Sequence, residues 1–202
     1  GLQIDPRGFS VLGESHAAGT DGVLALCVHS SSLERHRREL SAAGLPFGVR
    51  MDEAELERAL TTALEAGADF VILDVGRAAL AVLAKARLCL RRIGAPDGFA
   101  IILDGELRLP NDFIKALALG ASGLMVASST LGRILALPLA SEVSSRELVN
   151  HFLVNTLQLI TIMARACGHD RVSQFGLDDL TTWLPQVAAI SGVACSGYTH
   201  FQ

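Results

Sequence analysis

The stretch Ala66-Gly67-Ala68-Asp69-Phe70-Val71-Ile72-Leu73-Asp74 closes a helical pattern, turns on a glycine and enters an apolar run that stops at a carboxylate. The same unit recurs as Leu119-Gly120-Ala121-Ser122-Gly123-Leu124-Met125-Val126-Ala127-Ser128. Glycine accepts the left-handed backbone that ends a helix. A short apolar run without polar alternation predicts a strand covered on both faces. Two such units predict an α/β fold with parallel strands. Ligands in these folds sit beyond the carboxyl ends of the strands. The search for function is thereby directed to Arg50, Asp74, Asp104 to Arg108 and Ser128 to Thr130.

Outward from these units the alternation continues. The first 22 residues read as an irregular entry with a short strand at 9–12. Strands are predicted at 23–28, 46–51, 70–74, 100–103 and 123–127. Between them lie helices at 32–42, 52–65, 78–92 and 110–119, with Ser32 as an N-cap and Gly44 and Gly94 as stops. Asp52 and Glu55 resemble a capping box, and Pro110 suits a first helical turn, where it has no N–H to lose. Connections this short imply right-handed crossovers in a parallel sheet.

After Leu137 the pattern changes. Ser144 and Ser145 precede a long helix over 147–167 that Gly168 stops. Two short helices are expected at 177–184 and 185–190, and then a loose tail with Tyr198 and Phe201. The expected architecture is therefore α/β, with parallel β/α units of a partial TIM-type barrel over 1–140 and a C-terminal helical extension over 141–202. A complete barrel takes eight strands; five or six are readable here.

The chain has 202 residues, half of them hydrophobic but only 5% aromatic, so Ala, Leu, Val and Ile build its core. A net charge of −4 supplies no attraction for nucleic acid or an anionic membrane. The run Glu34-Arg35-His36-Arg37-Arg38-Glu39 reads as a solvated helix face. Cys27, Cys89, Cys167 and Cys195 lie too far apart for zinc or iron–sulfur ligation, and reduced thiols suit a cytoplasmic protein. The six histidines lack metal-ligand spacing. Asp5 and Arg7 interrupt any leader-like stretch. The helix around 152–163 carries Asn155, Thr156 and Gln158 and is too short and polar to span a bilayer.

Residues 102–121, Ile-Leu-Asp-Gly-Glu-Leu-Arg-Leu-Pro-Asn-Asp-Phe-Ile-Lys-Ala-Leu-Ala-Leu-Gly-Ala, resemble the late-barrel segment of the FMN-binding synthase domain of glutamate synthases. That family has a glycine pair, a Leu/Ile-Arg turn and a helix ending Lys-Ala-Leu-Ala-Leu-Gly-Ala. Pro46-Phe47-Gly48-Val49-Arg50-Met51 resembles its earlier strand, which ends in a flavin-contacting lysine. Residues 63–74 resemble its next helix and strand. Ala164-Arg165-Ala166-Cys167-Gly168-His169, Asp178-Asp179-Leu180 and Ile190-Ser191-Gly192-Val193 resemble its terminal helices. The resemblance covers 46–197 and implies an FMN-binding barrel, with Arg50, Gly105, Arg108 and Ser128 as the cofactor contacts.

The sequence also departs from that family. Its glycine- and threonine-rich stretch is replaced after Asp74 by Val75-Gly76-Arg77. The glycine pair is Asp104-Gly105, and Glu106 adds a second carboxylate. Like charges about 4 Å apart cost about 4 kcal/mol at an effective dielectric of 20, so these two anions oppose a phosphate. The lysine is Arg50, which keeps the charge in a planar fork. The usual Gly-Thr is Ala127-Ser128, and the cysteine cluster has no counterpart, so no iron–sulfur cluster is expected. Arg50 can instead pair with Asp74 or Asp104, and Ser128, Ser129 and Thr130 can serve as a plain N-cap.

Two expectations follow. In the first, the chain is a homologue with degenerate cofactor motifs, a non-catalytic or weakly active structural subunit that self-associates or docks on a partner protein to cover an incomplete barrel. In the second, it is an FMN-dependent oxidoreductase making glutamate from 2-oxoglutarate and ammonia or glutamine nitrogen.

Overall fold

A computed structural model describes residues 2–4, 9–13, 23–96, 98–126, 128–136 and 143–196. Tyr198, Phe201 and most of the expected irregular entry lie outside them. Seven strands, β1 (Leu2–Ile4), β2 (Phe9–Gly13), β3 (Val23–His29), β4 (Phe47–Met51), β5 (Phe70–Val75), β6 (Ala100–Gly105) and β7 (Gly123–Val126), are hydrogen-bonded in the order of the sequence. β1, β2 and β3 pair antiparallel, and the five strands β3 to β7 form the parallel sheet. Each parallel strand is followed by a helix: α1 (Leu33–Ala42), α2 (Leu56–Glu65), α3 (Ala79–Arg92), α4 (Pro110–Ala118) and α5 (Ser128–Leu135). A doubly wound sheet reverses its strand order partway; a TIM barrel does not. Sequential order over five β/α units therefore matches a run of barrel units.

The chain packs as two compact units, Gly1–Asp74 with Cys89–Ile102, and Val75–Leu88 with Leu103–Gln202. In the first, Val49, Leu60, Val71, Ile72 and Leu73 are fully buried, each contributing about 1.5–3 kcal/mol on leaving water. β5 is buried at every position except Asp74, which accounts for its unbroken apolar run. Gly48 pairs in register with Phe70, and the Phe70 ring fills the space that a Cβ on Gly48 would occupy. The Asp69 carboxylate accepts a hydrogen bond from the Phe47 N–H at 2.9 Å, pinning the start of β4.

Both repeated units end their helices as expected. Gly67 has φ 79° and Gly120 has φ 96°. Ala68 N–H donates to Ala63 O at 3.0 Å and Ala121 N–H to Ala116 O at 2.9 Å, the six-to-one closure of a glycine-stopped helix. Arg87 seals the second stop, its Nε donating to Gly120 O at 2.9 Å.

In the second unit, α6 (Ser145–Ala166) buries Leu148, Ile160 and Ala164 and meets α4 and α5. Phe113 of α4 stacks edge-on against Phe152 at 6.5 Å between centroids. Ser144 caps α6: its hydroxyl accepts from Glu147 N–H at 3.3 Å while the Glu147 carboxylate takes the Ser144 N–H at 3.1 Å. α7 (Pro185–Ser191) and the short strands β8 (Thr181–Thr182) and β9 (Ala194–Cys195) complete this unit.

Three expectations are corrected. Asp52 and Glu55 do not form a capping box. Asp52 accepts from Ala54 N–H at 2.9 Å, closing a local turn. Glu55 is left-handed at φ 53° and faces Arg58 at 3.0 Å, so the helix starts at Leu56 rather than 52. The helix expected at 177–184 is a 3₁₀ turn, Leu177–Asp179, followed by β8. Here the Asp179 carboxylate takes the Gly176 N–H at 2.8 Å, and β8 pairs with β9, which outweighs a weak helical pattern. Finally, β6 runs on through Asp104 and Gly105, two residues past the expected 103.

Candidate functional site

Each unit places a charged group at a strand end. In the first, Arg50 lies next to last in β4 and Asp74 next to last in β5. Arg50 Nε and a terminal nitrogen each lie 2.9 Å from Asp74 Oδ2. The Arg50 side chain is 18% exposed and that of Asp74 53%, so this is a half-buried ion pair with one wet partner. Cys27 of β3 is fully buried beside it. Desolvation pushes its thiol up to about 11, and the charge and backbone N–H of Arg50 counteract part of that rise.

In the second unit, β6 ends at Gly105. A Cβ there would stand 2.6 Å from Ala79 Cβ and 3.2 Å from Val75 O. The glycine therefore admits the first turn of α3, and the protein itself occupies the space that a bare backbone leaves. Glu106 follows at once. Arg108 meets its Oε2 at 2.7 Å and Arg77 Nε lies 3.7 Å from the same oxygen. The Arg108 hydrogen bond, with the charges of Arg108, Arg77 and Arg133, holds the Glu106 carboxyl below the usual range. Three guanidiniums thus act on one carboxylate.

The loop that carries them is pinned from both sides. Arg108 N–H and Leu109 N–H donate to Asp112 Oδ2 at 3.2 and 3.1 Å, fixing the entry to α4. Buried Thr130 donates its hydroxyl to Leu107 O at 3.1 Å, tying the first turn of α5 to the loop. Ser128 is the first residue of that helix. Gly105, Arg108 and Ser128 therefore share one unit and one end of its strands, whereas Arg50 lies in the other unit, engaged with Asp74. Of the two carboxylates expected to repel an anion, Glu106 is outnumbered by cations, and Asp104 sits half-buried within β6.

Sequence reasoning missed Arg77 and Arg133 as site residues. Arg77 is three residues past Asp74, and Arg133 is one turn and a half into α5. Arg77 could be found by its place, two residues past the end of β5; Arg133, in the last turn of α5, carries no such signal. Among the described residues, no group of three His, Cys, Asp or Glu is arranged to hold a metal ion. No helix among them is long and apolar enough to cross a membrane. His169 Nε2 contacts Asp179 Oδ2 at 2.8 Å and stacks edge-on with Phe175, a local structural cluster. Cys27 and Cys89 are buried, Cys195 partly so, and Cys167 is exposed.

No protein-family model and no curated protein matches the chain. Solved structures do. A variant of flavocytochrome b2 with benzoylformate aligns at a TM-score of 0.57 and 21% identity, over 72% of this chain and 37% of its own. A mandelate oxidase variant with (S)-mandelic acid aligns at 0.52 and 19%, over 68% and 40%. Mandelate oxidase with (S)-2-phenylpropionate aligns at 0.51 and 19%, over the same shares. This chain spans about two fifths of the length of these proteins. At such identity the likeness carries the fold: parallel β/α units of the TIM-barrel kind. It lends no specific support to glutamate synthase.

Proposed function

We propose that this chain forms the phosphate-anchoring part of an FMN-binding oxidoreductase barrel, with Arg108, Arg77 and Arg133 as the anion contacts. The carrying observation is that Arg108 at 2.7 Å and Arg77 at 3.7 Å meet one oxygen of Glu106, while the charge of Arg133 acts on the same carboxyl. Guanidinium forks match phosphate oxygens in geometry and remain charged at all working pH values. The guanidiniums outnumber Glu106, with Asp104 and Asp112 offsetting part of that charge, and suit an anionic phosphate. α5 starts beside the same loop, tethered by Thr130, and its N-terminus adds partial positive charge where Ser128 begins the helix.

The fold shared with flavocytochrome b2 and mandelate oxidase, together with the glutamate synthase resemblance of 102–121, favours a flavin barrel acting on a small 2-hydroxy or 2-oxo acid. Bound FMN would supply the two-electron redox step; the residues of this chain would place it. The pairing of Arg50 with Asp74 argues for a structural duty there. Glutamate formation from 2-oxoglutarate is the narrower form of this reading and rests on the motif in 102–121.

A structural, assembling role is the second reading. Its support is α6, where Leu157 is 62% and Ile162 56% exposed. Large apolar groups left wet along one helix favour self-association or a partner protein.

Titration of the full chain with FMN, followed by flavin fluorescence, tests the first reading. Saturable binding that inorganic phosphate weakens, with riboflavin binding far less tightly, is the expected result. No saturation at high micromolar FMN would leave the assembly reading, which sedimentation velocity then checks by showing an oligomer or a monomer.

A further inference from the structure

Within the second unit, away from the Glu106 cluster, α3, α4 and the α7–β9 segment border a half-open, mostly apolar cavity of about 410 Å³. Leu80 and Ala84 of α3, Leu119 just past α4, and Val187 and Val193 line it. This volume falls within the range of about 300–1,000 Å³ typical of small-ligand sites. Its polar lining is sparse: Lys115, Ser191 and the threonines of β8. Lys115 is exposed, and no acidic side chain among the described residues pairs with it. A lone ammonium thus stands at the edge of an otherwise apolar chamber. Buried apolar contacts supply affinity there and the few polar groups set orientation.

We propose that this cavity binds a single-chain aliphatic carboxylate, with the chain among Leu80, Ala84, Leu119, Val187 and Val193 and the carboxylate at Lys115. Charge complementarity selects an anion over a neutral or cationic amphiphile. The modest volume selects one chain over a two-chain lipid. The site shares no lining residue with the Glu106 cluster.

The chain carries one tryptophan, Trp183, which follows the lining residue Thr182 and is 79% exposed; binding heat is the primary readout and Trp183 fluorescence the second. Decanoate, kept below its aggregation concentration, is titrated into the full-length chain while Trp183 fluorescence and binding heat are followed. One-to-one saturable binding is expected, with decan-1-ol weaker. Lys115→Glu should weaken decanoate about fivefold, the upper range of a surface charge pair, and leave decan-1-ol unchanged. Ala84→Trp, which fills the chamber, should abolish saturable binding. If Ala84→Trp fails to fold, Val187→Trp fills it from the exposed rim instead.

Equal affinity for decanoate and decan-1-ol, indifference to Lys115→Glu, or survival of binding in the filled variants would each overturn the proposal. So would an absence of saturable binding. Binding that appears only after residues 197–202 are removed would show the chamber to be filled from within the chain, and binding only to lipid vesicles would show a membrane-facing patch; either result rejects a free carboxylate.

Discussion

Arginine and carboxylate meet at a strand end in both units, with opposite consequences. At the end of β4, one guanidinium faces one carboxylate, Arg50 with Asp74 at 2.9 Å, and the pair neutralises itself. At the end of β6, Glu106 is contacted by Arg108 and Arg77 and feels Arg133 as well. The first arrangement matches one charge with one, although Arg50 Nη1 is buried outside the Asp74 contact, while the second sets several guanidiniums around one carboxylate. Motif alignment ranks Arg50 and Arg108 as equal cofactor candidates; counting the charges around each separates them.

The strongest way to break this contrast is a pair of substitutions. Arg108→Ala should lower FMN affinity about 10- to 100-fold, the equivalent of roughly 1.5–3 kcal/mol for a charge-assisted contact. Arg50→Ala should leave it within about threefold. Equal losses in flavin titrations would erase the distinction.

Next in size is Gly105→Ala. The new Cβ would press on Ala79 at 2.6 Å, and overpacking of this kind costs about 1–3 kcal/mol, read from the midpoint of urea unfolding. An unchanged midpoint would show that α3 yields freely and would reopen the space to a ligand.

Arg50→Ala should itself destabilise the fold by about 1 kcal/mol. A half-exposed Asp74 discounts the charge term, but the mostly buried Arg50 stem beside buried Cys27 also loses its packing. The same burial predicts a sign at high pH. With the Cys27 thiol raised from 9.0 to about 11, the folded state holds its proton longer than the unfolded chain, so stability should fall as pH rises from 9 towards 11. Cys27→Ser or Cys27→Ala should flatten that slope in denaturation series run across this range.

The smallest effect sharpens the other side. Glu106→Gln removes the carboxylate that competes for Arg108 and should tighten FMN severalfold, while unfolding midpoints move little because the pair is solvent-accessible. Glu106 has its carboxyl held below the usual range, so as pH falls through that depressed value the FMN affinity of the native chain should approach that of Glu106→Gln, whose own change with pH reports protonation of the phosphate at about pH 6. Isothermal titration at two acidic pH values, on native and Glu106→Gln protein, reads this.

Much of the frame was legible because its causes are local. Gly67 and Gly120 end their helices through their own backbone freedom. The apolar run Phe70-Val71-Ile72-Leu73 demands cover on two faces wherever it is placed, and Ser144 with Glu147 caps α6 across three residues. Local signals failed where a nearby alternative competed. Asp52 closed its own turn instead of capping a helix, Glu55 went to Arg58, and Thr181-Thr182 found a strand partner at Ala194-Cys195.

The site was legible only in part. Arg108 and Gly105 lie in a readable motif, and the acidic substitutions beside them argue against an anion when read along the chain. Arg77 and Arg133 precede and follow Glu106 by 29 and 27 residues, and no spacing rule joins them.

What the chain's order of residues determined alone is therefore the alternation of strand and helix, the sequential parallel units and the positions at which strands run out. What the tertiary structure decided is the charge balance at those ends and the chamber beside Lys115. Hydrophobic periodicity and capping act between residues a few positions apart and can be read in one dimension. Electrostatic neutralisation and cavity formation depend on distances across space, and those exist only once the helices have been laid against the sheet.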